Sequence, residues 1–271
     1  RMVLDGIHLL KISHVKLDDY KLETASKMFV GEGKLFTGPN RYEQIDLAFE
    51  QDPQMLIDYN LKDAKLAYDV IEKSDALNLT IRRSLLTRLP LDRVQGSIAA
   101  LDSVYVKELQ HIKVVAPTSA NLERDERIKG GHVLEPQPGI YENIIVLDFK
   151  SLYPSIMRTF NIDPLRFMPS SKVKNKKGLI EAPNGAFFKR EEGVLPKIIQ
   201  RLWQERDEAK KRKDKLSTYA IKIMMNSLFG VLANPNCRFY SLDMANAITS
   251  FGIFFIQHAA AKAEEWVYCV I

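Results

Sequence analysis

Cysteine is scarce in this chain. Cys237 and Cys269, 32 positions apart, exclude a disulfide framework and a cysteine metal cluster, and they point to a reducing compartment. Long apolar runs are missing too: none approaches the roughly 20 residues that span a bilayer, so no membrane partner is expected. The N-terminus, RMVLDGIHLL, has neither an initiator Met nor a small-residue cleavage site, and it reads as a chain cut from something longer. There is no internal repeat, and no low-complexity tract beyond KKRKDK. What remains is the composition of a globular protein, 46% hydrophobic and 27% charged over 271 residues, enough for two domains or parts of several.

Acidic residues are sparse in one segment. From Lys172 to Gly230 there are 15 Lys/Arg against 7 Asp/Glu, a local charge of +8 in a chain whose net charge is +5. A basic excess confined to one stretch suits a phosphate-binding surface, and it equally suits a solvated charged helix.

Periodicity predicts helix across 52–88, where Leu56, Leu61, Ala64, Leu66, Ala67, Val70 and Ile71 recur near helical spacing. A second helix is expected from Leu101 to Leu109. The stretch APTSANLERDERIKGGHVLEPQPG reads as a domain junction, and the short β-branched run Ile144–Leu147 reads as a buried strand. Residues 168–195 read as irregular and lysine-rich. Helices are expected over 196–213, 216–232 and 243–266.

On the first of these, Arg206, Lys210 and Lys213 share a stripe, while Asp207 can pair with Lys211 and Glu208 with Arg212. That pairing leaves Arg206 and Lys210 as facing like charges, a small penalty that a bound polyphosphate would reverse. On the second, Ile221, Met224, Met225, Leu228 and Leu232 form an apolar stripe, and Lys222, Asn226 and Phe229 form another about a third of a turn away. The second stripe fits either a core helix with a polar flank or a face that meets phosphate, polar edge and base plane. Asp148 follows four apolar residues at the lip of the expected strand, with Ser151 placed to cap a following helix and Pro154 in its first turn. A carboxylate held there suits Mg²⁺, and the same pattern makes an ordinary strand-to-helix connection.

The stretch DFKSLYPSI (148–156), followed by KIMMNSLFG (222–230) and NPNCRFYSLDMANAITSFG, resembles the first two polymerase motifs of family B DNA polymerases in order and separation. DGIHLLK, GEGK, YNLKDAKLAYDV, RVQGSIAALDS, RDEAK and IDPLRF resemble bacterial members in particular. The resemblance implies an α+β multidomain chain. Residues 1–94 would be the end of an RNase H-like 3′–5′ exonuclease domain, and 95–117 a linking or N-terminal-domain segment. Residues 118–169 would be the first part of a palm, an antiparallel sheet with helices. Residues 170–232 would be a helical fingers hairpin, and 233–271 the second, truncated part of the palm.

The resemblance also implies roles. Asp148 would be the catalytic carboxylate, one of two palm acids that hold two Mg²⁺ ions. Ser151 and Leu152 would contact phosphate through their backbone, and Tyr153 would lie under the sugar and reject a 2′-hydroxyl. Arg206, Lys210, Lys222 and Asn226 match triphosphate-binding positions, and Phe229 and Gly230 would flank the nascent base pair. Phe229 stands where the family usually has Tyr, so a hydroxyl contact is lost. Tyr59 and Asp63, one helical turn apart, resemble the third exonuclease motif, with Asp63 a metal ligand and Tyr59 orienting water. In IKGG (128–131), Ile128 replaces the family's Tyr, and only Gly130 and Gly131 carry over as DNA-contacting linker residues.

The expected partners are primer–template DNA, deoxynucleoside triphosphates and, through a missing C-terminal region, a sliding clamp. The expected location is cytoplasmic and nucleoid-associated, in a prokaryote. The second palm acid, in a Tyr-Gly-Asp-Thr-Asp hairpin, is absent, as are the first two exonuclease motifs, so the fragment is expected to be inactive alone. Asp243, Glu264 and Glu265 are the nearest other acids. The alternative is a non-catalytic nucleic-acid-binding remnant of a polymerase.

Overall fold

The computed structural model describes residues 3–13, 15–94, 96–118, 135, 137–266, 268 and 270. The chain divides into two compact units, Arg1–Gln95 and Gly96–Ile271. Gly130 and Gly131 lie outside the described residues, as do Val267, Cys269 and Ile271 of the C-terminal WVYCVI run. Among the described residues no helix is long and apolar enough to cross a membrane.

The regular elements of the first unit are all helices, joined by loops: α1 (Gly6–Ile12), α2 (Leu22–Phe29), α3 (Arg41–Gln51), α4 (Pro53–Lys73) and α5 (Ala76–Thr87). The helix expected over 52–88 is two helices. The break falls at Asp75, which takes a left-handed φ of 57°, and α4 opens with an Asp52 cap on the Met55 N–H and with Pro53 in its first turn. Leu9, Leu10, Ala25, Val70 and Ala76 form the core, so α1, α2, α4 and α5 close around one apolar seam.

The second unit holds α6 (Ser97–His111), α7 (Leu152–Thr159), α8 (Val194–Lys211), α9 (Lys215–Leu232) and α10 (Leu242–Glu265). The three expected C-terminal helices form within two residues of their expected bounds. Ile221, Met224, Met225, Leu228 and Leu232 are buried as the apolar stripe requires. The α8–α9 hairpin turns at Lys213, whose φ is 60°, and Asp214 caps α9 by accepting from the Ser217 N–H at 2.9 Å. α6 packs against both hairpin helices, and α7 packs against α8, α9 and α10.

Two expectations fail in this unit. Residues 168–195 are not irregular. They hold a three-stranded antiparallel sheet of β1 (Phe167–Met168), β2 (Leu179–Glu181) and β3 (Phe187–Lys189), in the order β1-β3-β2. Ile144–Leu147 is not a buried strand: it forms no ladder, and Val146 and Leu147 are 87% and 86% exposed. A strand is stable only when its backbone groups pair with a neighbour, and no described strand lies beside this run.

Candidate functional site

A buried polar hub sets the geometry of the second unit. After α7, Asn161 turns the chain with φ 54° and donates from Nδ2 to the Lys189 and Glu191 carbonyls at 2.6 and 2.7 Å. Its Oδ1 accepts from the Gly193 N–H at 2.8 Å. Asp163, fully buried, accepts from the Leu195 N–H at 2.7 Å, the Leu165 N–H at 2.8 Å and the Tyr105 hydroxyl at 2.9 Å. The carboxylate thus satisfies a free N–H in the first turn of α8 from a distant part of the chain. Burial pushes the Asp163 carboxyl above its usual range, against the pull of its three donors, and burial also raises Tyr105. Gly193 is required by contact: a Cβ there would lie 2.6 Å from the Asp163 Cβ.

The hub aims α8 and α9 across α7. The Tyr153 and Phe229 rings meet at 4.6 Å, tilted by 46°, so the Ser-Leu-Tyr-Pro turn and the KIMMNSLFG helix come together. Tyr153 also lies beside Gly252 on α10, where a Cβ would be 3.4 Å from the Tyr153 ring. Lys222 and Asn226 are exposed on α9. Gly230 is exposed with open space beside it, so any backbone approach it allows is to a group outside this chain.

On α8 the expected ion pairs need one correction. Glu208 pairs with Arg212 at 3.8 Å, but Asp207 pairs with Lys210, at 3.8 Å, rather than being assigned to Lys211. Residues three and four apart are both near neighbours on a helix, so Asp207 can take Lys210 in place of Lys211, and Lys210 is not left uncompensated beside Arg206. Arg206 keeps a buried Nε with no hydrogen-bond partner. Lys213 leaves the stripe, because α8 ends before it. Ser151 also differs from expectation. It stands at the start of α7, but its left-handed φ of 51° replaces the extended backbone that a capping serine needs, and its side chain makes no cap. Asp148 is exposed, four residues before Leu152.

In the first unit, Tyr59 and Asp63 share a face of α4, and the structure adds a residue the sequence did not suggest. Lys34, in the GEGK loop, pairs with Asp63 Oδ2 at 2.5 Å and lies 5.2 Å from the centre of the Tyr59 ring. Phe36 stacks on the same ring at 4.8 Å. Burial opposes the charge on Lys34, but hydrogen bonding to Asp63 and Tyr59 outweighs it and raises the lysine pKa. Glu23 holds the loop by accepting from the Lys34 N–H at 2.7 Å, and Gly33 makes room: a Cβ there would lie 2.8 Å from Glu23 Oε1. Asp63 Oδ1 is buried with no hydrogen-bond partner. A partnerless buried carboxylate oxygen fits a metal ligand. Among the described residues no group of three His, Cys, Asp or Glu side chains gathers, so Asp148 fits Mg²⁺ only as one ligand beside substrate phosphates.

Residues 94–269 match the family model described as DNA polymerase family B. The chain belongs to that family. DNA polymerase II of Escherichia coli K12 is 36% identical over all of this family B chain, which covers 35% of that relative. A DNA polymerase of Desulfurococcus sp. strain Tok is 30% identical over 93% of the chain and 34% of its own length. In fold, the chain is similar to a solved family B DNA polymerase from Pyrobaculum calidifontis, with a TM-score of 0.74 at 24% identity over 98% of this chain and 37% of that one. The family B chain therefore spans about a third of the curated relatives it matches.

Proposed function

We propose that this chain carries the nucleotide-facing part of a template-directed DNA polymerase, preceded by the end of a linked 3′–5′ exonuclease domain of RNase H-like fold. The observation that carries the reading is the ring contact of Tyr153 with Phe229. It joins the turn after Asp148 to the helix that presents Lys222 and Asn226. Arg206, Lys210 and Lys222 take the triphosphate oxygens, and the free N–H groups that open α7 face the same charge. Tyr153, backed by Phe229 and Gly252, fills the volume a 2′-hydroxyl would occupy. Asp148 holds Mg²⁺ with those phosphates. The chemistry such an ion supplies when bound is Lewis-acid charge at the phosphates and at the attacking primer hydroxyl. In the first unit Asp63 offers its partnerless oxygen to a metal, Tyr59 orients water, and Lys34 fixes the other carboxylate oxygen.

Primer–template DNA and deoxynucleoside triphosphates are the substrates, and a sliding clamp is a partner of the parent enzyme by family analogy alone. No second acid stands beside Asp148 among the described residues, so nucleotide binding without primer extension is the expected behaviour of these 271 residues alone. The test is equilibrium binding of dTTP with Mg²⁺. Asp148→Ala and Lys222→Gln are each expected to weaken it about tenfold without changing the melting temperature. Affinity unchanged in Asp148→Ala, or salt-sensitive DNA binding with no affinity for dTTP, would instead favour a non-catalytic remnant.

A further inference from the structure

Trp203, on α8, carries two cations on one ring. Lys150 Nζ lies 5.3 Å from the ring centre and Arg158 Cζ lies 5.0 Å from it. Arg158 also donates to Gln200 Oε1 at 2.5 Å, one turn earlier on α8. Neither cation has an ion pair among the described residues, so the indole is what these two like charges share. Their positions are informative. Lys150 immediately precedes Ser151, at the start of α7, and Arg158 sits in the last turn of α7. The two ends of α7 are therefore pinned to a single side chain at the middle of α8. Trp203 lies on the same stripe as Arg206 and Lys210, at i, i+3 and i+7.

We propose that the Lys150–Trp203–Arg158 stack is a positioning device that holds the phosphate-facing start of α7 in register with the phosphate-facing stripe of α8. This rests on the nucleotide site proposed above. Ser151 and Leu152 on one element and Arg206 and Lys210 on the other must meet the same triphosphate. To the direct packing of α7 on α8 the shared indole adds a grip on both ends of α7, which fixes its register along α8. Removing the ring frees α7 to slide or tilt on α8, and the two sets of phosphate contacts then no longer converge. The attraction depends on the aromatic face, strongest for Trp, weaker for Phe and absent for Leu, so the effect must follow that order.

Two measurements test it. The protein has two tryptophans, and Trp266→Phe leaves Trp203 as the sole tryptophan, excited selectively to the red of tyrosine absorption. In that background, Lys150→Ser with Arg158→Ser uncovers the ring, and acrylamide quenching of its emission is expected to rise about twofold. Unchanged quenching overturns the stack, whatever the nucleotide site does. For the positioning role, binding of dTTP with Mg²⁺ is expected to weaken about tenfold in Trp203→Leu and distinctly less in Trp203→Phe. Affinity retained in Trp203→Leu, or lost equally in both variants, overturns it. If Trp203→Leu does not fold, Lys150→Ser and Arg158→Ser, both at exposed positions, replace it, with weakening expected and retained affinity overturning the role. No dTTP binding by the unsubstituted protein refutes the site itself, a different result from binding that survives loss of the ring.

Discussion

Asp163 shows how much of this architecture depends on single polar atoms. Its carboxylate serves two backbone N–H groups and a tyrosine hydroxyl in a setting that excludes water. Asp163→Ala leaves all three donors buried and unpaired. At about 1–3 kcal/mol for each orphaned group, the variant is expected to lose about 3 kcal/mol or more of stability, read as a lowered urea midpoint. A midpoint within error of the parent would mean the hub does not hold the hairpin. Nothing local in the sequence marks this role, because Asn-Ile-Asp-Pro reads as a turn and two of the three donors come from 58 and 32 positions away. Lys34 was hidden for the same reason. The Tyr59–Asp63 pair is legible as an i, i+4 spacing, but the lysine reaches it from a loop with no periodic signal.

At the scale of elements, long amphipathic helices were legible and short strands were not. The α9 stripe repeats often enough to define its buried face, whereas β1 to β3 are two or three residues each, too short for alternation to register. Short elements rely on contacts from elsewhere, and the loop between α2 and α3 is a testable example. Glu23 pairs with Lys27 at 2.7 Å and accepts from the Lys34 N–H, and these two partners hold its pKa below the ordinary value of 4.5. The native state then binds fewer protons than the unfolded chain. The stabilisation is full above pH 4.5 and is lost as pH falls through the lower folded value. Glu23→Gln is therefore expected to be less stable than the parent at neutral pH, with the gap closing below pH 4.5. Amide exchange protection across 22–34, which includes the Lys34 N–H, measured at several pH values, reads it. A gap that stays constant with pH would show that the charge of Glu23 does not hold the loop.

For the whole molecule, the decisive feature is a run that its surroundings leave open. Ile144, Ile145, Val146 and Leu147 are all exposed, with Phe149 42% exposed beyond them. The apolar, β-branched pattern reads as a buried strand, and that expectation fails here because pairing depends on residues distant in the chain, which local pattern does not report. An apolar, β-branched segment with free backbone groups is a template for another copy of itself. The purified chain is thus expected to self-associate as its concentration rises, which sedimentation velocity detects. Ile145 and Leu147 lie two apart and would share one face of any strand formed. Charges at both positions oppose sheet-on-sheet packing, so Ile145→Lys with Leu147→Lys is expected to restore the monomer without lowering the melting temperature. That separation of effects is the useful part: association that persists in the double variant would place the sticky surface elsewhere, among the exposed apolar residues of α3 and α4 such as Phe49 and Leu61.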